Sequence, residues 1–119
     1  MAGSSRIPGS PGGDPPPEQA LQLQRLWAEH RHTPFPAASA STPQLQEIAL
    51  YESWLGSIVE AAIRAGGRVS AGHARLLAVR AREGNQAIWA AAAGQPDHVR
   101  AYVARLIAVE ELLRTLPSG

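Results

Sequence analysis

The chain has 119 residues, a formal net charge of +1, no cysteine, and arginine as its only basic residue other than histidine. That length fits one domain, burying roughly two-thirds of the surface of its unfolded chain. The charge excludes strong long-range attraction to nucleic acid or an anionic membrane. The missing thiols and lysines exclude disulfides, thiol catalysis, cysteine-based zinc sites and any lysine Schiff base or general base.

Residues 1–17 hold five prolines and four glycines, a composition that cannot offset the entropy of ordering. A disordered tail over residues 1–14 is expected, followed by a single helical domain over 15–117. The start lacks the apolar stretch of ~7–15 residues of a secretion signal. The longest apolar run, Ala87 to Ala93, falls well short of the ~18–20 residues that span a bilayer. A cytoplasmic protein with no membrane partner is the expectation.

Asp14 can cap a first helix, with Pro15 in its first position and Glu18 near the favourable end of the dipole. This helix should run to about Arg31 and bury Ala20, Leu23, Trp27 and His30, with Leu26 beside Trp27. In the connection Thr33–Thr42, Pro34 and Pro36 bracket Phe35 and favour extended backbone before each ring. Phe35 reads as an anchor pinning the loop to the core, with a recognition knob as the alternative.

Pro43–Ala65 has the clearest period in the chain. Leu45, Ile48, Tyr51, Leu55, Ile58, Val59, Ala62 and Ile63 recur at the spacing of a helix that buries one face. Trp54 lies at the edge of that stripe, and Ser53, Ser57, Glu60 and Arg64 lie opposite. Thr42–Pro43 and the pair Ser41/Gln44 mark the start; Gly66 in the left-handed C′ position marks the end.

Ser70 can cap a third helix running to about Ala93, with Ala74, Leu77, Ala78, Ala81, Ile88, Trp89 and Ala92 on its inner side. The stripe stays in phase across Gly84, so one helix is expected, carrying a glycine cost of ~1 kcal/mol relative to alanine. A break at Gly84–Asn85 is the competing reading. Pro96 and Asp97 open a fourth helix to about Leu116, burying Val99, Tyr102, Val103, Leu106, Val109, Leu113 and Leu116. Glu110 falls near that face, within i+4 reach of Arg114. Short connections make neighbouring helices antiparallel, hence an all-α, small antiparallel four-helix bundle.

No chemistry stands out on this frame. His30 and His32 sit at a helix C-terminus, where polar side chains satisfy free carbonyls, and a His-x-His pair lacks the three or four ligands of a metal site. His73 and His98 occupy first helical turns. The serines sit in tail, loop and cap positions, without a nucleophile elbow. The glycines form neither a P-loop nor a dinucleotide motif. Glu110/Glu111 and Glu47/Glu52 suggest no general acid–base pair. The expectation is no enzyme, with no catalytic, cofactor-binding or metal residues.

Two surface patterns remain. Arg64, Arg68, Arg75, Arg80 and Arg82 form a run in which Arg75 and Arg82 share a helix face, an arrangement that can contact phosphates. Leu76 and Val79, and Leu50 on the preceding helix, lie off the buried stripes beside arginines, a composition typical of protein interfaces. The candidate partner-binding residues are therefore Leu50, Leu76, Val79, Arg75, Arg80 and Arg82. They point first to a protein partner or a homodimer, and second to a weak nucleic-acid or polyanion binder. Trp27, Trp54 and Trp89, one per helix, read as core residues rather than a ligand cage.

The segment Leu26-Trp27-Ala28-Glu29-His30 followed by Pro34-Phe35-Pro36, then a long helix, a Gly-Gly turn and two further helices, resembles a set of small uncharacterised actinobacterial all-α proteins. The resemblance implies a helical fold in a bacterial cytoplasm, and carries neither an activity nor site residues. Arginine without lysine, alongside abundant alanine, glycine and proline, agrees with codon usage in a GC-rich bacterial genome.

Overall fold

A computed structural model of the chain describes residues 17–35 and 43–119. Among these residues there are five helices and no strand: α1 Glu18–Arg31, α2 Pro43–Arg64, α3 Ala71–Glu83, α4 Gln86–Ala92 and α5 Asp97–Thr115. The all-helical expectation holds, but the count is five rather than four. The expected tail, the Asp14 cap with Pro15, and the Ser41 and Thr42 caps lie outside the described residues.

α1 starts at Glu18, where the carbonyl of Pro17 accepts the N–H groups of Ala20 and Leu21 at 2.9 and 3.2 Å. It ends at Arg31 and buries the four expected residues Ala20, Leu23, Trp27 and His30. α2 buries the predicted stripe from Leu45 to Ala62 and leaves Ile63 and Trp54 partly covered. Its end is a Schellman turn: the Gly66 N–H bonds to the Ile63 carbonyl at 3.0 Å and the Gly67 N–H to the Ala62 carbonyl at 2.8 Å. Gly67 has φ +96°, and a Cβ there would stand 2.6 Å from the Ala20 Cβ, so only glycine lets α1 approach this turn. Gly56 serves α1 in a similar way, because a Cβ there would lie 3.1 Å from the Trp27 ring.

The expected long third helix is instead α3 and α4. Gly84 has φ 79° and ψ −178°, backbone that glycine adopts at far lower cost than other residues. Its N–H still closes the last turn of α3 on the Arg80 carbonyl at 2.8 Å, so the break comes after a normally ended helix. The faces change with it. Trp89, expected inside, is 44% exposed, and Ala91 and Ala92 are buried beside Ile88. On α3 only Leu77 is buried, whereas Ala78 and Ala81 face outward.

α5 buries the whole predicted face, with Ile107 and Glu110 in addition. It is the common neighbour: α1, α2, α3 and α4 all pack against it, and α4 also packs on α2. After α5 the chain end lies along the α2–α3 connection, the Val69 N–H bonding to the Pro117 carbonyl at 2.9 Å and the Gly119 N–H to the Val69 carbonyl at 3.1 Å. No helix among the described residues is long and apolar enough to cross a membrane.

Candidate functional site

Four of the six candidate partner-binding residues line one groove. Leu50 of α2 and Leu76, Val79 and Arg80 of α3 surround an open volume of about 370 Å³, together with Glu47, Tyr51, Trp54, Ala87 and Ile88. Leu50 is 69% exposed, Leu76 48% and Val79 39%. The groove follows from the break at Gly84. α3 leans on α5 while α4 packs on α2, so the apolar walls of α2 and α3 face solvent. Arg75 and Arg82 are exposed and fall outside the lining, on the outward stripe they share with Val79.

Arg80 points away from the outward stripe of Arg75 and Arg82 and toward the core. Its Nε donates to Glu110 Oε2 at 3.2 Å, its Nη2 donates to the Asn85 side-chain oxygen, and its guanidinium lies 4.7 Å from the centroid of Tyr51 and 5.3 Å from that of Trp54. The sequence places Arg80 inside one long helix running to about Ala93; in the structure it lies in the last turn of α3 and ties that helix to α2, to α5 and to Asn85 at the joint. Its partner Glu110 is fully buried. Arg114 Nη1 donates to the same carboxylate oxygen at 2.9 Å, the expected i+4 pair, and the Tyr51 hydroxyl donates to Oε1. A buried carboxylate is tolerable only when its oxygens are satisfied in this way. Burial, followed by the hydrogen bond to Glu110 and its charge, pushes the Tyr51 hydroxyl well above the ordinary tyrosine value.

A second carboxylate joins α1, α2 and α5. His30 is buried, and its Nε2–H donates to Glu52 Oε2 at 2.9 Å; the Tyr102 hydroxyl donates to that same oxygen. Tyr102 is likewise pushed well above its ordinary value, by burial first, then by the hydrogen bond to Glu52 and its charge, with Arg105 opposing. The His30 ring stacks on Trp27 at 5.1 Å and meets Tyr102 at 4.7 Å, and Phe35 stands edge-on to Tyr102 at 5.5 Å. Trp27, His30, Tyr102 and Phe35 thus belong to one aromatic column. Phe35 packs against the core, at the start of a connection whose later residues lie outside the described ones. Beside the column an open volume of about 480 Å³ is lined by Trp27, His30, Glu52, Ser57 and Glu60 among others, and both His30 Nδ1 and Trp27 Nε1 are buried without a hydrogen-bond partner among the described residues.

His32 and His73 act locally. His32 Nδ1 donates to the Ala28 carbonyl at 2.8 Å, the helix-end role expected of it, and the His73 N–H is capped by Ser70 Oγ at 3.1 Å. Among the described residues no three of His, Asp and Glu converge on a point that could hold a metal ion.

Sequence reasoning passed over Glu52, although a signal was there. Glu52 stands four residues after Ile48 and three before Leu55, inside the buried stripe, where a carboxylate needs donors from another helix. Comparison with known proteins adds no further guide: no family model matches the chain, and no curated protein or solved structure matches it.

Proposed function

We propose that this chain is a non-enzymatic helical protein–protein interaction module that docks a protein in the groove between α2 and α3. The observation that carries the reading is the convergence of Leu50, Leu76, Val79 and Arg80 on one open, apolar-walled groove. Three large exposed apolar side chains on one face cost solubility with no return in folding, and aromatic and arginine-bearing apolar patches are characteristic of interfaces. The buried Glu110 carboxylate and the partly covered Glu52 carboxylate fit a structural role, since each is shared by hydroxyl, imidazole or guanidinium groups that fix neighbouring helices together. The helical arrangement that goes with this reading is an antiparallel bundle in which α3 and α4 together take the place of one rod. Its setting is the bacterial cytoplasm.

A photocrosslinking side chain introduced at position 76, compared with one at the exposed position 111 on α5, tests the reading in cells. Adducts from 76 and none from 111 are expected. Absence of any adduct from 76 refutes docking at the groove.

The second reading, a weak polyanion binder, rests on Arg68, Arg75 and Arg82, all exposed. It loses Arg80, whose charge already faces Glu110. Titration with a DNA duplex at ~50 and ~200 mM salt decides it: affinity that falls steeply with salt is its signature, and no binding at either concentration removes it.

A further inference from the structure

We infer that the occupant of the groove is a second copy of this chain, related by a two-fold axis running along the groove, so that α2 of each copy faces α3 of the other. The inference rests on the docking reading above and names its partner. It is carried by the way charge and apolar surface are divided between the two walls.

The α2 wall presents Glu47 as its charge and Leu50 and Trp54 as its apolar surface; the α3 wall presents Leu76 and Val79. Alongside Val79 the outward stripe of α3 carries Arg75 and Arg82, with Glu83 the one acid among them. Glu47, Arg75 and Arg82 are all exposed, and none is in an ion pair with another described residue. The α2 wall therefore carries an acid beside its apolar residues, and the α3 wall carries apolar residues flanked by the arginines of the outward stripe. A two-fold axis along the groove lays the α2 wall of each copy on the α3 wall of the other, bringing the acid toward the arginines and apolar surface onto apolar surface, which is the self-complementarity an isologous interface requires.

The register follows from the contacts within one chain. Arg80 reaches both Tyr51 and Trp54, and Glu47 lines the groove together with Ala87 and Ile88, beyond the end of α3. Glu47 therefore lies toward the Arg82 end of α3, within the reach of a long guanidinium side chain from the other copy. Leu50, one turn further along α2, is the most exposed large apolar residue among those described, and Val79 of the other copy is the exposed large apolar residue of α3 nearest Arg82 in the chain. A chain with a net charge of only +1 opposes such pairing little. An acidic helical segment of a different protein would suit the α3 arginines but would meet Glu47 on the opposite wall.

Sedimentation velocity across a concentration series, with crosslinking through introduced thiols, tests the inference. The natural chain has no cysteine, so every disulfide reports a designed pair. The wild-type chain should show a concentration-dependent dimer. Leu50→Glu and Val79→Glu should weaken it on the order of a hundredfold or more, because each substitution enters an isologous interface twice. Both sites are exposed, and unchanged far-UV circular dichroism confirms that the fold survives. An equimolar mixture of the Leu50→Cys and Val79→Cys chains should form the inter-chain disulfide under mild oxidation, well above the level of an exposed Glu111→Cys control. A strict monomer, or a dimer indifferent to both glutamate variants, overturns the inference. Self-linkage of Leu50→Cys in preference to the mixed product overturns the axis. If the chain stays monomeric while position 76 still crosslinks to another protein, the second copy is refuted and the docking reading stands; no adduct from 76 refutes both. A monomer that binds a DNA duplex, with binding lost in Arg75→Glu/Arg82→Glu, overturns the inference in favour of a polyanion.

Discussion

Glu110→Gln should be among the most damaging near-isosteric substitutions in this chain. The carboxylate is fully buried on α5, receives the Tyr51 hydroxyl on one oxygen, and receives Arg80 and Arg114 on the other. The amide keeps the shape but removes the negative charge that Arg80 and Arg114 share, and its NH2 end must face either those guanidinium groups or the Tyr51 hydroxyl, which then loses its acceptor. Breaking a buried ion pair by removing one partner costs ~3–5 kcal/mol. Because the side chains of Arg80 and Arg114 each keep 27% exposure, water recovers part of that cost, and a loss of about 3 kcal/mol is the expectation. For a domain of this size that corresponds to a fall in melting temperature of roughly 10–25 °C. Urea unfolding followed by tryptophan fluorescence and far-UV circular dichroism measures it, with an unchanged denaturant slope showing that the native state stays compact. A loss below ~1 kcal/mol, the level of an ordinary surface ion pair, would show that the Glu110 centre does not hold the helices together.

Two further outcomes follow from the geometry. Gly84→Ala meets no atom within 4 Å, so its effect is purely that of the backbone. With φ at +79° it should destabilise by ~1–3 kcal/mol, whereas a helix continuous through Gly84 would gain ~1 kcal/mol; thermal unfolding of the single variant gives the sign. The two tyrosines of the chain both hydrogen-bond to carboxylates, and both have folded pKa values raised above the ordinary 10.0. Their contribution is complete below pH ~10 and is lost as pH rises toward the folded values, at up to about 1.4 kcal/mol per pH unit for each. Phenolate absorbance should therefore appear together with the loss of helical dichroism. Ionisation near pH 10 with the helices intact would contradict the two Tyr–Glu bonds.

The helices were legible wherever one face is uniformly apolar. α1, α2 and α5 bury the residues their periods pick out, and the ends at Arg31 and Gly66 lie where end-capping chemistry puts them. Legibility failed at α3 and α4 because a 3.6-residue period assumes a continuous axis. Once Gly84 turns the chain, phase no longer says which side faces the core, and the alanine-rich stretch offers no bulky residue to correct the count. Of the site, Leu50, Leu76 and Val79 were legible as apolar residues off the buried stripes. Their convergence was not, since it depends on where α3 leans. Arg80 was misplaced for a related reason. An arginine within a run of arginines on one helix reads as solvated, and only the positions of Asn85, Tyr51 and Glu110 in space reveal a partly covered guanidinium with partners on α2, on α5 and at the joint after α3.

One glycine links these failures to the surface proposed for docking. The turn at Gly84 brings Asn85 under the guanidinium of Arg80 and sends α4 across α2, which leaves the outer sides of α2 and α3 uncovered. Arg80 then holds the α3 wall at its distance from α2, with its guanidinium near the Tyr51 and Trp54 rings and its charge against Glu110. The groove is in this sense an outward extension of the buried carboxylate centre. Its two walls also meet directly, since Arg80 of α3 lies against Tyr51 and Trp54 of α2, all three of them lining residues. A partner pressing on Leu76 and Val79 would therefore meet a wall braced from α5, the pre-organisation that lets a small apolar face bind without first having to order itself.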